Sequence, residues 1–124
     1  MMKSAWMILA CAMLTSPAWA EGDIKSGKKV FKKCKACHSL KPEDNKVGPT
    51  LYNIIGATSG SVEGFRYSKA MADAGLIWDL ETLGAFVTKP KDVVPGTSMA
   101  FGGLKKPQQV DDLLAYLQSE MVSE

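Results

Sequence analysis

The apolar positions of this chain recur at helical spacing in several places, and nowhere do they alternate with the two-residue period of a strand. Ile24, Gly27, Val30 and Phe31 predict one face of a helix that runs to about Lys33, with Asp23 as its N-cap and lysines on the opposite face. Gly27 sits badly in a helix interior unless another helix must approach closely there. Ser68 can cap a short helix from Lys69 to Ala74, which Gly75 stops. Asp79 opens a further helix, with Leu80, Leu83, Phe86 and Val87 on one face and Pro90 closing it. Pro107 suits the first turn of a last helix, on which Val110, Leu113, Leu114, Leu117 and Met121 form a stripe. The fold class predicted is all-α, with short helices and long connections.

Those connections have their own chemistry. Lys41-Pro42-Glu43-Asp44-Asn45 and Gly48-Pro49 are turn sequences, Leu51 to Ile55 suits a short turn, and Gly56 to Gly64 is rich in glycine, serine and threonine. So much loop is unusual in a small domain unless it is functional or covers something. At the N-terminus the pattern changes. Lys3 precedes a short apolar run, Ala5 to Leu14, and Pro17-Ala18-Trp19-Ala20 ends in the small-x-small pattern that signal peptidase cuts. The run falls short of the roughly 20 residues a membrane span needs. Residues 1–20 are therefore expected to be an export signal cleaved after Ala20, which leaves residues 21–124 as one domain.

Composition narrows the possibilities. Without Lys3 the mature chain sets 14 lysines and arginines against 13 acids, so net charge gives no reason to expect a nucleic-acid partner. The distribution is uneven. Lys25, Lys28, Lys29, Lys32, Lys33, Lys35, Lys41 and Lys46 crowd one segment, either as a solvated helix face or as a ring steering the domain toward an acidic partner. Cys11 leaves with the signal, and only Cys34 and Cys37 remain. A disulfide between them would close a tiny loop and contribute little.

Within the lysine-rich segment stands Cys34-Lys35-Ala36-Cys37-His38, the spacing of a c-type haem attachment site. Two thiols at this separation can add across the two vinyl groups of one porphyrin edge, and the histidine that follows is placed to bind the iron. Structural zinc would need a second ligand pair, and no other His and no other mature Cys exists. A thioredoxin-like dithiol would follow a strand, and there is none to follow. A buried haem would also supply the interior that so loop-rich a chain lacks. With no second histidine, the candidate for the other axial position is Met99, in the irregular stretch after Pro95-Gly96. A loop methionine can equally fill a packing gap. Met71 and Met121 lie on helical patterns and read as packing.

The chain resembles the class I cytochrome c family, in its mitochondrial-like cytochrome c and bacterial cytochrome c2 group. The resemblance runs from Gly22 to about Glu120. It is carried by Gly27-Lys28-Lys29-Val30-Phe31, the Cys34 to His38 motif, Gly48-Pro49-Thr50-Leu51, Gly64-Phe65-Arg66-Tyr67-Ser68, Trp78, Pro95-Gly96-Thr97-Ser98-Met99 and Asp112-Leu113-Leu114-Ala115-Tyr116-Leu117. It implies a small cytochrome c fold: short helices wrapped around one haem c, covalent through Cys34 and Cys37, with the N- and C-terminal helices crossing so that Gly27 and Phe31 meet Leu113 and Tyr116. It implies His38 and Met99 as metal ligands, the Pro49 carbonyl accepting from the other His38 nitrogen, Tyr67 and Trp78 donating to a propionate, and Thr97 near the propionates.

The resemblance further implies a soluble, monomeric periplasmic electron carrier rather than an enzyme. A docking face around the haem edge would be ringed by Lys28, Lys29, Lys32, Lys35, Lys91 and Lys105. A cytochrome bc complex would be the donor, and an oxidase, a photosynthetic reaction centre or a peroxidase the acceptor, in brief encounters at the membrane surface. Alternatives are a haem protein whose Met99 is displaced to admit peroxide or a gas, and a dedicated acceptor for one periplasmic dehydrogenase. The chain departs from many relatives with Ala57 for arginine, Phe86 for tyrosine, Met71 for asparagine and Ser98 for lysine, which together imply a drier, less hydrogen-bonded pocket.

Overall fold

The first helix forms where its cap predicts. The Asp23 carboxylate accepts from the backbone N–H groups of Lys25 and Ser26 at 2.8 and 3.2 Å, meeting two donors that the first turn would leave open. These distances come from a computed structural model of the chain, which describes residues 22–121; the expected signal and Cys11 lie outside the described residues. Helix α1 spans Ile24–Lys35 and so runs past Lys33, bringing Cys34 into its last turn. Lys32, Lys33 and Lys35 stand in that turn, where the helix end carries partial negative charge.

The other helices are α2 (Lys69–Asp73), α3 (Leu80–Thr88), α4 (Pro90–Val93) and α5 (Pro107–Ser119). Ser68 caps α2 through its hydroxyl, 3.2 Å from the Met71 N–H, and Asp79 caps α3, 2.7 Å from the Thr82 N–H. Helix α4 is a correction to the sequence reading, in which Pro90 only ended a helix. Proline lacks an N–H and has its φ preset, so the residue that stops α3 also occupies the first position of the next helix. Among the described residues there is no strand, only an isolated bridge between Thr58 and Ile77.

Helices α1 and α5 cross in direct backbone contact. A side chain on Gly27 would run into the Asp112 carbonyl and stand 2.7 Å from Tyr116 Cβ. The rings of Phe31 and Tyr116 lie 5.5 Å apart at 51°. Asp112, buried in α5, accepts from the Asp23 N–H at 2.8 Å and from Gln108 Nε2 at 2.9 Å, which ties the cap of one helix to the flank of the other. Val30 and Phe31 are buried as expected, but Ile24 is 53% exposed. The reason lies in α5: Gly22 lies directly on the Asp111–Asp112 backbone, and Asp23 bonds to Asp112, so these two residues take the surface Ile24 would have covered.

On α5 the buried surface is broader than the predicted stripe and takes in every residue from Asp112 to Leu117. Leu113 is 1% exposed, while Met121 lies just past the helix end and packs half-buried against the core. Helix α3 reaches the same core through Leu83 and Phe86, and its Gly84 sits so close that a Cβ there would be 3.3 Å from Leu114. In Gly27→Ala the gain in helix propensity, about 1 kcal/mol, is outweighed by backbone contact that no rotamer can relieve. Denaturant unfolding is expected to show a net loss of about 2 kcal/mol. An unchanged midpoint would mean that the helices do not touch at this residue.

Candidate functional site

The end of α1 continues as a turn that places the motif. The Cys34 carbonyl accepts the N–H of Cys37 at 3.0 Å and of His38 at 2.9 Å. Residues three apart in such a turn lie on the same side, so Cys34 and Cys37 stand one above the other. Both are free thiols and half-buried. Burial, opposed by Lys33 and reinforced by Cys37, pushes the Cys34 thiol up to about 11.

His38 is held by the loop that follows. Its Nδ1 lies 2.7 Å from the Pro49 carbonyl oxygen. A carbonyl can only accept, so Nδ1 carries the proton and Nε2 keeps its lone pair. Burial lowers the imidazole's pKa against the opposing pull of the Pro49 bond, which favours the neutral ligand form. Gly48 supplies the space. A Cβ there would stand 2.7 Å from Nδ1 and 2.9 Å from Nε2, inside the ring's own contact distance. The Gly48 N–H reaches the Cys37 carbonyl at 2.7 Å, so the loop is fastened to the motif on both sides of the ring.

A polar clasp that sequence reasoning missed keeps Pro49 in place. Thr50 is buried, its hydroxyl donates to the Lys41 carbonyl at 2.5 Å, and its N–H donates to Asn45 Oδ1 at 3.0 Å. Asn45 Nδ2 in turn donates to the Glu63 carbonyl at 3.1 Å, and the Leu51 N–H to the Ser39 carbonyl at 2.8 Å. The only sequence signal for it is an asparagine and a threonine flanking Gly-Pro.

The remaining predicted residues fall into separate groups. Met99 is half-buried against the same core as Cys34, and its N–H donates to Thr97 Oγ1 at 3.3 Å. Both line a cavity of about 470 Å³ with Pro90, Lys91 and Phe101, and none of Cys34, Cys37, His38, Tyr67 and Trp78 lines it. Trp78 is 5% exposed and packs on Phe86, ring centroids 5.0 Å apart. The Tyr67 hydroxyl accepts from the Val62 N–H at 3.0 Å, which leaves its own proton for another acceptor. Burial raises its pKa, opposed by the Val62 bond, and the group stays a donor. Lys28, Lys29, Lys32, Lys35, Lys91 and Lys105 are all exposed. Among the described residues the only ion pair is Lys69–Asp73, so none of the six is neutralised.

The donor set fits a covalently held haem. Two thiols share one side of a turn, and one fixed imidazole offers a free nitrogen. Among the described residues no cluster of three or more His, Cys, Asp or Glu side chains could hold a bare metal ion. These features define a c-type haem protein. Residues 24–120 match the family model described as Cytochrome c. The chain is 44% identical to cytochrome c2 of Rhodomicrobium vannielii, covering 92% of both chains, and 48% identical to cytochrome c type-1 of Ascaris suum, covering 84% of this chain and 94% of that one. Cytochrome cH from Methylobacterium extorquens superposes with a TM-score of 0.74 at 44% identity, covering 79% of this chain and 99% of the other.

The chain belongs to the cytochrome c family, in its class I branch. It has the small all-α cytochrome c fold, binds haem c covalently through Cys34 and Cys37, and is an electron-transfer protein rather than an enzyme. Gly48→Ala is expected to push the imidazole off its seat and to cut the yield of covalent holoprotein several-fold in a host that matures c-type haem. Gly102→Ala, where an added methyl meets nothing, should mature normally. Equal yields by the pyridine haemochrome assay would show that the ring does not depend on Gly48.

Proposed function

We propose that the chain is a soluble periplasmic electron carrier whose haem iron is ligated by His38 Nε2 and Met99 Sδ. The observation that carries the reading is the Pro49–His38 hydrogen bond, which leaves one imidazole nitrogen available and fixes its direction. The bound haem supplies a one-electron couple. Everything else falls to the chain. Cys34 and Cys37 fasten the group, and Pro49 keeps the imidazole basic and oriented. Met99 offers a soft, neutral sulfur that favours the ferrous state and closes the iron to substrates. Tyr67 and Trp78 donate to a propionate, with Thr97 nearby. Phe86, buried beside Trp78, adds no hydroxyl to the pocket.

The six unpaired lysines form the docking face. Their charge raises the encounter rate with an acidic partner, and because they are exposed they form no strong bond once docked. Encounters are brief, as a carrier requires. A cytochrome bc complex is the donor, and a cytochrome oxidase, a photosynthetic reaction centre or a peroxidase the acceptor. The monomeric mature domain, residues 21–124, reaches the periplasm after cleavage at Ala20. No helix among the described residues is long and apolar enough to cross a membrane.

Oxidised protein is expected to show the weak red-region absorption band of methionine-ligated ferric haem. Met99→Ala should lose that band, lower the reduction potential and let the ferrous form bind carbon monoxide, which the parent protein resists. A band that survives in Met99→Ala would place another ligand on the iron. Reduction by a purified bc complex should slow as ionic strength rises, and neutralising Lys28 with Lys32 should flatten that dependence. A rate indifferent to salt would remove the lysine ring from docking.

A further inference from the structure

The stretch between α4 and α5 that carries Met99 packs Met99 and Phe101 on the core, but its backbone is hydrogen-bonded to other backbone only at its two ends among the described residues. Val94 and Leu104, each 2% exposed, stand equally far from Met99 along the chain and are buried in the core. At the entry, the Val94 N–H reaches the Pro90 carbonyl at 2.9 Å and the Thr97 N–H reaches the Val94 carbonyl at 3.0 Å. At the exit, the Leu104 N–H reaches the Val87 carbonyl at 2.8 Å. Between these posts, no backbone group from Ser98 to Gly103 bonds to another backbone group among the described residues, and only the Thr97 hydroxyl holds Met99.

The exit post is built on the C-terminal end of α3. The last carbonyls of a helix lack partners within it, and Leu104 serves one of them. Gly103 lies against the next. Its φ is +102°, and a Cβ would run into the Thr88 carbonyl oxygen, stand 2.8 Å from its carbon and 3.4 Å from Pro90 Cδ. What it would meet is helix-end backbone and a proline ring, neither of which can swing aside. The neighbouring Gly102 differs in every respect: it has no positive φ and nothing within contact distance.

We propose that Gly103 is a positioning residue for Met99: its missing side chain seats the loop's exit on the end of α3, and that seat sets how firmly Met99 is presented to the haem iron. This rests on the reading of Met99 as the axial ligand. With any side chain at 103, the exit lifts off Thr88, Leu104 is drawn from Val87, and the state with methionine off the iron gains population. The cost appears at the iron because the span between the posts has no other bonds to absorb the shift.

The test uses imidazole as a competitor on the oxidised holoprotein. Imidazole binds only where methionine has left, so its apparent affinity scales with the population of that state. Gly103→Ala should bind imidazole about tenfold more tightly, which is that same population ratio, with a weakened red-region band and a lower reduction potential. Gly102→Ala should match the parent in all three. Leu104→Val loosens the same post while keeping the glycine, and should shift imidazole affinity in the same direction by less. It stands in as the deciding variant if Gly103→Ala fails to mature.

A lower unfolding midpoint in Gly103→Ala with parental imidazole affinity and potential would overturn the proposal, because the glycine would then serve stability alone. Parental affinity in Leu104→Val would overturn it where Gly103→Ala cannot be prepared. The ligand reading fails separately: if Met99→Ala bound imidazole no more tightly than the parent, methionine would not be the group displaced, and the proposal would fall with it.

Discussion

Two backbones touch where α1 crosses α5, and the rest of the molecule is arranged from that contact. Gly27 permits it, the ring pair of Phe31 and Tyr116 flanks it, and the buried Asp112 carboxylate locks it by accepting from the first helix's own cap residue. Because α1 is held so closely, its last turn has a defined exit direction, and that turn holds Cys34 and leads into Cys37 and His38. A residue with no side chain, far from the chemistry, thus helps decide where two thiols and an imidazole stand.

Much of this could be read from the chain. The cap at Asp23, the period of Val30 and Phe31 and the motif spacing are local signals, and each produced the local structure it implies. Gly27 was legible as a contradiction, since a glycine that weakens its own helix needs an external reason. What escaped depends on partners distant in sequence. Nothing near Ile24 shows that Gly22 and Asp23 will occupy the α5 surface before it. Nothing near Pro90 says that one proline both ends α3 and begins α4. The clasp of Thr50, Asn45 and Glu63 spans turns whose sequences announce only that they are turns. The family resemblance pointed to Pro49 as the histidine's acceptor; Gly48, beside it, becomes meaningful only once the ring is seen against it.

Electrostatics divides the molecule in two. Inside, burial favours a neutral His38 and a protonated Tyr67, and a thioether at Cys34 has no proton to lose, so the polypeptide brings no charge of its own to these positions. Outside, lysines without an ion-pair partner among the described residues stand over α1 and near both ends of the stretch that carries Met99. A one-electron centre gains from both arrangements: the interior has few groups that must reprotonate when the electron arrives, and the surface offers charge that solvent and partner can exchange quickly.

The two sides of the proposed haem site are held with unequal strength. The histidine side hangs from a helix locked into the core and from a loop stitched by several hydrogen bonds. The methionine side hangs from a span whose backbone, among the described residues, bonds to other backbone only at its ends, with the Thr97 hydroxyl on Met99 between them. Amide protons should therefore exchange in two tiers, with residues 98–103 opening readily while α1 and α5 open only on global unfolding. One side of the centre can then come loose and return without disturbing the other, and a displaced loop would be a local excursion of a folded protein, not a first step toward losing it.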